Sequence, residues 1–429
     1  MAFILVDTYL IKFYDTIDKN ILPISTKQII FSVISFICLG FQLIILRYLR
    51  VLNLKINVSR RNEVELLNKM VQLSQYLLIG IFAFIVFEIF FHKYYSTILL
   101  TLTLVITYSM GSVLLGKILL SFIAWYKQNR NFIFVLYSIS MSLIMFNFIL
   151  TPIIVSIMIN EKPDQIRPFS GGSMDISGGK YTILSDLTKI SSTLSFVSTW
   201  LTTALLMHTA KDRVFSQVRF WILLSMPLIY FLFSYFAQDI FGTVLFPLVR
   251  TDPVFVSLVL ISIFVLSKPV GGMIFGLLFW RISKLVSYDR ILREYLIIAG
   301  YGFLLLFSAN QSTLLVLGPY PPFGLITITS IVLAAYMILI GIYTSAVLAA
   351  TSVDLRKHIF GITKDAKVLK LLGRAELEKE VNTTVNKIME YASNSDMYKN
   401  INHDIDEDDL KKYIESVISE LRSKPSDAN

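Results

Sequence analysis

Long apolar runs dominate the chain between Ile29 and Ala350, and short polar segments separate them. A run of about 18 or more apolar residues is long enough to cross a bilayer as an α-helix. A transmembrane β-barrel would show shorter segments of alternating polarity instead. The pattern therefore predicts an all-α, polytopic membrane bundle with nine transmembrane helices, near residues 28–47, 74–92, 97–124, 131–158, 187–209, 220–237, 254–281, 293–309 and 324–350.

The distribution of Lys and Arg predicts the orientation. If the C-terminal tail is cytoplasmic, nine spans place the N-terminus outside. The inner loops then hold fifteen Lys and Arg residues, whereas the outer loops after the first span hold six. Such an excess on the inner side is the usual arrangement in the cell membrane. Adding or removing one span would destroy the agreement, so the charges favour nine passes.

The chain divides into three predicted parts. Residues 1–27 form an extracytoplasmic segment without the basic start or cleavage site of a secretory signal. Residues 28–350 form the transmembrane bundle, and residues 351–429 form a cytoplasmic tail. Two short amphipathic helices are predicted in the tail, over residues 375–392 and from about Asp406 to Leu421. Helices of this kind can dock a protein partner.

The composition narrows the classes of function. Charged residues make up 16% of the chain, against about 25% in soluble proteins. Cys38 is the only cysteine and the four histidines are scattered, so no metal site or other cofactor is predicted. The net charge of +9 comes from dispersed loop residues, which topology explains without nucleic acid. No paired carboxylates or Ser-His arrangement share one depth, so we expect no enzymatic activity.

The stretch VLSKPVGGMIFG, in the seventh predicted span, departs from the apolar pattern. Lys268 falls near the centre of that span, where an ionised lysine costs at least about 2.5–3.5 kcal/mol. It should therefore face the interior of the bundle. The residues after it favour a break or kink in the helix; they are Pro269, Gly271, Gly272 and Gly276. Gly272 and Gly276 also form a G-x-x-x-G pair that lets a second helix approach closely.

Two interpretations of this stretch stand. Either a kinked helix packs in the bundle around a structural lysine, or a broken helix lines a polar cavity near the membrane midplane, as in many transporters. Measured along the predicted spans, four polar side chains lie near the depth of Lys268 and are candidate binding residues: Glu88, Asn147, Ser198 and Thr199. Glu88 is the carboxylate among them, so a Glu88–Lys268 pair is predicted. If no pair forms, Lys268 is available for an anionic ligand.

The C-terminal third also carries a resemblance. The stretches SKPVGG and PYPPFGL and the final span ending GIYTSAVLAATSVDLRK resemble a group of polytopic membrane proteins of ammonia-oxidising archaea. The similarity runs roughly from Ser267 to Glu380. It implies an archaeal membrane protein and implies nothing about activity.

Two functions follow from these features. The first is transport or conduction of a small molecule or ion through a polar site centred on Lys268. The second is signalling or scaffolding, in which the bundle passes a membrane or outer event to a partner through the tail. A wet cavity at Lys268 would favour the first function, and a dry bundle with an exposed apolar stripe on the tail would favour the second.

Overall fold

The computed structural model describes residues 7, 24–54, 61–92, 96–160, 166–167, 175–176, 182–209, 217–236, 253–286, 289–310, 322–352, 355 and 367–394. Ten helices lie in these ranges: α1 (Ile24–Leu54), α2 (Arg61–His92), α3 (Thr97–Gln128), α4 (Phe132–Asn160), α5 (Thr182–Thr209), α6 (Gln217–Phe236), α7 (Pro253–Leu285), α8 (Arg290–Ala309), α9 (Leu325–Thr351) and α10 (Lys367–Asn394). Between α4 and α5, the two-residue strands β1 (Ile166–Arg167) and β2 (Asp175–Ile176) pair antiparallel. The described chain is otherwise helical.

The predicted spans correspond one to one with helices α1 to α9. Within the described residues, seven helices are long and apolar enough to cross a membrane, namely α1 to α5, α8 and α9. Helix α6 has a shorter apolar stretch, from Leu224 to Phe233. The all-α class is therefore confirmed, and seven of the described helices have the length and composition of membrane spans.

Helix α9 is the centre of the bundle. Apart from Tyr343 and Leu348, every residue from Leu325 to Ala350 is buried. Helices α8, α3, α1 and α2 all pack against it. A helix that is apolar on every side is stable only where neighbours cover its full circumference. The strongly apolar sequence of the ninth span thus explains its central place.

Close approach of helices α7, α8 and α9 depends on glycine. A methyl group added at Gly276 of α7 would lie 2.6 Å from the carbonyl oxygen of Gly300 in α8. One added at Gly341 of α9 would lie 2.7 Å from the backbone nitrogen of Ala299 in α8. Real side chains do not tolerate such distances, so the backbones meet directly here. This confirms the close approach that the G-x-x-x-G pair predicted.

An aspartate from the N-terminal segment caps the central helix. Gly324 precedes α9 in a left-handed conformation, with φ of 86°, and has no side chain with which to cap it. The buried carboxylate of Asp7 accepts hydrogen bonds from the backbone N–H of Gly324 (3.0 Å) and from the N–H and hydroxyl of Thr327 (3.2 and 2.7 Å). These bonds satisfy two of the N–H groups that a helix leaves unpaired at its start.

The tail begins with a helix that belongs partly to the bundle. The chain forms two compact units, Met1–Leu377 and Glu378–Asn429. Helix α10 starts before the predicted residue 375, and Leu369, Leu372 and Ala375 at its beginning are buried in the first unit. The second predicted tail helix, residues 406–421, lies outside the described residues, as does most of segment 1–27.

Replacing the contact glycines should destabilise the fold selectively. We expect Gly276→Ala and Gly341→Ala each to lower the free energy of unfolding by about 1–3 kcal/mol, because the added methyl overpacks a backbone contact. Gly40→Ala and Gly80→Ala are matched controls, since nothing lies within 4 Å of a methyl group added there. Thermal unfolding in lipid nanodiscs measures the difference. Equal effects at all four sites would contradict the direct backbone contact.

Burial of Asp7 predicts a dependence of stability on pH. Burial raises the pKa of its carboxyl from 3.8 to about 6, although the hydrogen bonds from Gly324 and Thr327 oppose this shift. Between these values the folded state binds a proton that the unfolded state does not, so stability should rise as pH falls from about 6 towards 4. Two pKa units correspond to roughly 3 kcal/mol.

The variant Asp7→Asn isolates this contribution from other titrating groups. Its side chain cannot ionise, so the difference in unfolding temperature between wild type and variant should change between pH 4 and pH 7. A difference that stays constant over this range would show that the Asp7 carboxyl does not titrate there.

Candidate functional site

Helix α7 carries the stretch that the sequence singles out. It runs without interruption from Pro253 to Leu285, with Pro269 inside it. The predicted helix break is therefore wrong. Proline removes one backbone donor, but the helical path continues through it. The interpretation of the stretch as an open, unwound segment has no support in the fold.

Neighbouring residues occupy the space beside the glycines that follow Pro269. A methyl group at Gly271 would collide with the ring of Phe196 from α5, and one at Gly272 would lie 2.9 Å from Cβ of Phe307 in α8. The small residues thus admit aromatic rings and the α8 backbone to the surface of α7. They serve packing and do not line a cavity.

Four phenylalanines from four helices meet at this point. The rings of Phe196 in α5 and Phe231 in α6 stack with centroids 4.0 Å apart. Phe275 of α7 and Phe307 of α8 pack edge-on against Phe196, at 5.3 and 5.8 Å. All four side chains are buried. This aromatic cluster closes the bundle interior next to Gly271, three residues beyond Lys268.

Lys268 lies on the buried face of α7. The exposed residues Leu266 and Met273 define the outward face of this part of the helix. At about 100° per residue, Lys268 points about 200° away from Leu266, into the face that also carries Phe275. The lysine itself is half-buried. Within the described residues Lys268 has no hydrogen bond or ion pair.

Contacts between the helices fix the position of Lys268 along the bundle axis, which we call its level. Gly272, one turn further along α7, faces Phe307 of α8. Phe307 follows Gly302 by five residues, and Gly302 faces Ile338 of α9. Since α8 is antiparallel to both helices, Lys268 lies about 13–14 Å from the level of Ile338, towards the start of α9.

Asn147 of α4 lies at nearly the same level. Its neighbour Phe148 meets Gly111 of α3, and Gly111 also faces Ile331 of α9. Ile331 precedes Ile338 by seven residues, about 10 Å along the axis. Asn147 is 5% exposed, and in the part of the chain that the structure describes neither its carboxamide nitrogen nor its carboxamide oxygen has a hydrogen-bond partner. Asn147 and Lys268 thus share a level within about one helical turn, although no bond joins them.

The predicted partner Glu88 lies elsewhere. Its Oε2 accepts the backbone N–H of Ser96 at 2.6 Å, at the connection between α2 and α3. Ser96 precedes Gly111 by fifteen residues, about 22 Å along α3 from the level of Asn147. Helix α7 packs against α8, α6 and α5, and α2 is not among its main neighbours. The predicted Glu88–Lys268 pair is therefore wrong, because depth along a span does not show which helices are adjacent.

Ser198 and Thr199 belong to a polar face whose hydroxyls have partners. Thr199 donates to the carbonyl oxygen of Ser195 at 2.7 Å. Ser198 donates to the same oxygen at 3.1 Å and accepts from Ser140 of α4 at 2.9 Å. Ser140 precedes Asn147 by seven residues, so this pair lies about 10 Å from the level of Asn147. Among the described residues, these hydroxyls therefore join α4 to α5 and are not the lining of a polar cavity.

A buried carboxylate that the sequence did not single out joins the tail to the bundle. Trp125 of α3 donates its indole N–H to Oε2 of Glu376 in α10 at 2.6 Å. Glu376 is 3% exposed and Trp125 is also buried. The spacing in the tail predicted only an apolar stripe, since the fit of Glu376 depends on a tryptophan that is 251 residues away in the sequence.

Comparisons with protein-family models, curated proteins and solved structures find no match. Within the described ranges, no group of three His, Cys, Asp or Glu side chains is placed to hold a metal ion. The candidate site is therefore centred on Lys268. Asn147 lies near the same level, but on α4, which is not among the main neighbours of α7, and neither side chain has a hydrogen-bond or ion-pair partner among the described residues.

The anchor of the tail can be tested through Trp125. We expect Trp125→Phe to lower the free energy of unfolding by about 1–3 kcal/mol, because a buried carboxylate loses a donor. Hydrogen exchange of residues 367–377 should also become faster. Trp221→Phe, at a partly exposed position of α6, is the control. Unchanged exchange in Trp125→Phe would show that the indole does not hold this helix.

Proposed function

We propose that the chain crosses the cell membrane nine times, with its N-terminus outside and its tail in the cytoplasm. The nine helices α1 to α9 and the excess of Lys and Arg in alternate loops support this topology. Neighbours that contact one another at matching levels, such as α8 and α9, run antiparallel as the topology requires. The archaeal origin stays a prediction from the resemblance.

Within this topology, we propose that the protein transports a small anionic solute. The observation that carries the proposal is the inward-facing ammonium group of Lys268. A charge on the interior face of a membrane helix is costly unless protein, water or ligand compensates it. No described residue neutralises Lys268, so an anion is the chemical class that would pair with it.

Asn147 supports a polar site near the level of Lys268, although it lies on α4, which is not among the main neighbours of α7. A carboxamide can donate to an anion and accept from its protonated or hydroxyl groups. Left dry and unpaired, it would cost roughly 1–3 kcal/mol. The aromatic cluster lies on the cytoplasmic side of Lys268 in the proposed orientation and closes the way inward. Passage of a solute would therefore need these rings to move.

Signalling or scaffolding through the tail is the second candidate. The bond between Trp125 and Glu376 favours it, because it links helix α10 directly to α3 in the bundle. Beyond Leu377 the chain forms a separate unit, on which a partner would dock. We propose no enzymatic reaction, nucleic-acid partner or cofactor for either candidate.

Substitution of Lys268 tests the transport proposal. In proteoliposomes, Lys268→Met should abolish protein-dependent uptake of a permeant anion, for which we would compare chloride, acetate and inorganic phosphate. Lys268→Arg should retain part of it, because the charge is kept. Lys117→Met is the control, since this lysine is exposed on α3. Equal uptake by the wild type, Lys268→Met and empty liposomes would end the transport proposal and leave the tail as the functional element.

A further inference from the structure

Helices α1 and α2 bury a line of uncharged polar side chains against each other and against α9. Among the described residues, four of them have atoms without a hydrogen-bond partner: Ser35 Oγ, Gln42 Oε1, Asn68 Oδ1 and both polar atoms of Gln75. Gln75 is 0% exposed and the other three are also buried. We call this set the polar seam. None of its members belongs to the site at Lys268, which lies on α7.

The register of α1 and α2 aligns these residues. Gln28 of α1 donates its carboxamide to the carbonyl oxygen of Ile89 in α2 at 3.0 Å. The two helices are antiparallel, so moving fourteen residues along each from this contact brings Gln42 level with Gln75. Gln42 is also fixed to the central helix, since its Nε2 donates to Thr329 Oγ1 of α9 at 3.1 Å.

The same register extends the polar seam in both directions. Ser35 lies seven residues from Gln42 on α1, and Asn68 lies seven residues from Gln75 on α2. Seven residues are two helical turns, about 10.5 Å. Polar groups therefore recur at three successive levels over about 21 Å, of which the level of Asn68 lies before the second predicted span begins at residue 74.

Asn53 continues the line beyond Asn68. It accepts from the hydroxyl of Tyr295 in α8 at 2.7 Å and donates to the hydroxyl of Tyr336 in α9 at 3.3 Å. These bonds give both polar atoms of Asn53 partners within the protein. The three levels before it, by contrast, keep unpaired donors and acceptors.

Energetics decide between a dry and a hydrated polar seam. Each buried polar atom without a partner costs roughly 1–3 kcal/mol, so five such atoms would cost a large part of a typical folding free energy. Water with two to four polar partners removes that cost and is common in such places. A bilayer offers no other donor or acceptor at this depth.

We propose that the polar seam between α1, α2 and α9 binds a file of water molecules, and so forms a hydration path for small, uncharged species that both donate and accept hydrogen bonds. The buried residues from Phe31 to Leu52 of α1 and from Asn68 to Ile85 of α2 carry no charge. The path therefore offers no counter-charge to an ion. It is independent of the transport proposed for Lys268.

Cysteine accessibility tests the proposal directly, because Cys38 is the only cysteine and can be replaced by alanine. Single cysteines at Ser35, Gln75 and Asn68 would be treated with a methanethiosulfonate reagent in reconstituted membranes. The thiolate reacts and forms only in contact with water. Leu114→Cys in the buried core and Phe84→Cys on the exposed face of α2 are controls.

Seam cysteines should react at least about tenfold faster than both controls, since one unit of thiol pKa changes the thiolate fraction by that factor. Equal rates would overturn the proposal. Gln75→Met gives a second readout that needs no reagent: in a hydrated seam it should not raise the unfolding temperature, whereas in a dry seam it removes two unpaired atoms and should raise it. Such a rise would also overturn the proposal. Neither result depends on anion uptake through Lys268.

Discussion

The bundle depends on the burial of α9 around its whole circumference. Its apolar residues are covered by α8, α3, α1 and α2, and three of its polar residues bond to residues far away in the sequence. Asp7 pairs with Thr327, Gln42 with Thr329, and Asn53 with Tyr336. Because hydrocarbon supplies no hydrogen bonds, each of these groups needs a partner within the protein. The central helix thus contacts Asp7 and α1 through polar groups, and α8 through direct backbone contact.

The same requirement separates structural polar groups from candidate functional ones. The hydroxyls of Ser198 and Thr199 are satisfied within α4 and α5, and Glu376 is satisfied by Trp125. Among the described residues, Lys268, Asn147 and Gln75 lack such partners, and the polar seam keeps single unpaired atoms at Ser35, Gln42 and Asn68. Density of polar residues is therefore a poor guide to a site in this chain. The hydroxyl-rich α5 is structural, whereas carboxamides on α1, α2 and α4 keep atoms without partners.

The sequence predicted what depends on one helix at a time. The lengths of the apolar runs located the helices, and the G-x-x-x-G pair predicted the close contact of α7 with a neighbour. The position of Lys268 at the centre of its span predicted that this residue faces the interior of the bundle. The errors concern relations between helices. The partner of Glu88 is the start of α3, and the space at Gly271 is filled by Phe196, which no spacing within α7 could show. The sequence does not mark Gln42 and Gln75, because each is a single polar residue in an apolar run. Only the register of α1 against α2 brings them to the same level.

Packing also limits how a solute could pass Lys268. Helices α7, α8 and α9 meet at glycine contacts so close that sliding one past another would bring backbone atoms together. Interiors of this density are not continuously deformable. Helices α5 and α6, in contrast, meet this region through the side-chain rings of Phe196 and Phe231 and not through backbone contacts. If anions pass, α5 and α6 must move while α7 to α9 stay fixed, and Lys268 then belongs to the stationary wall.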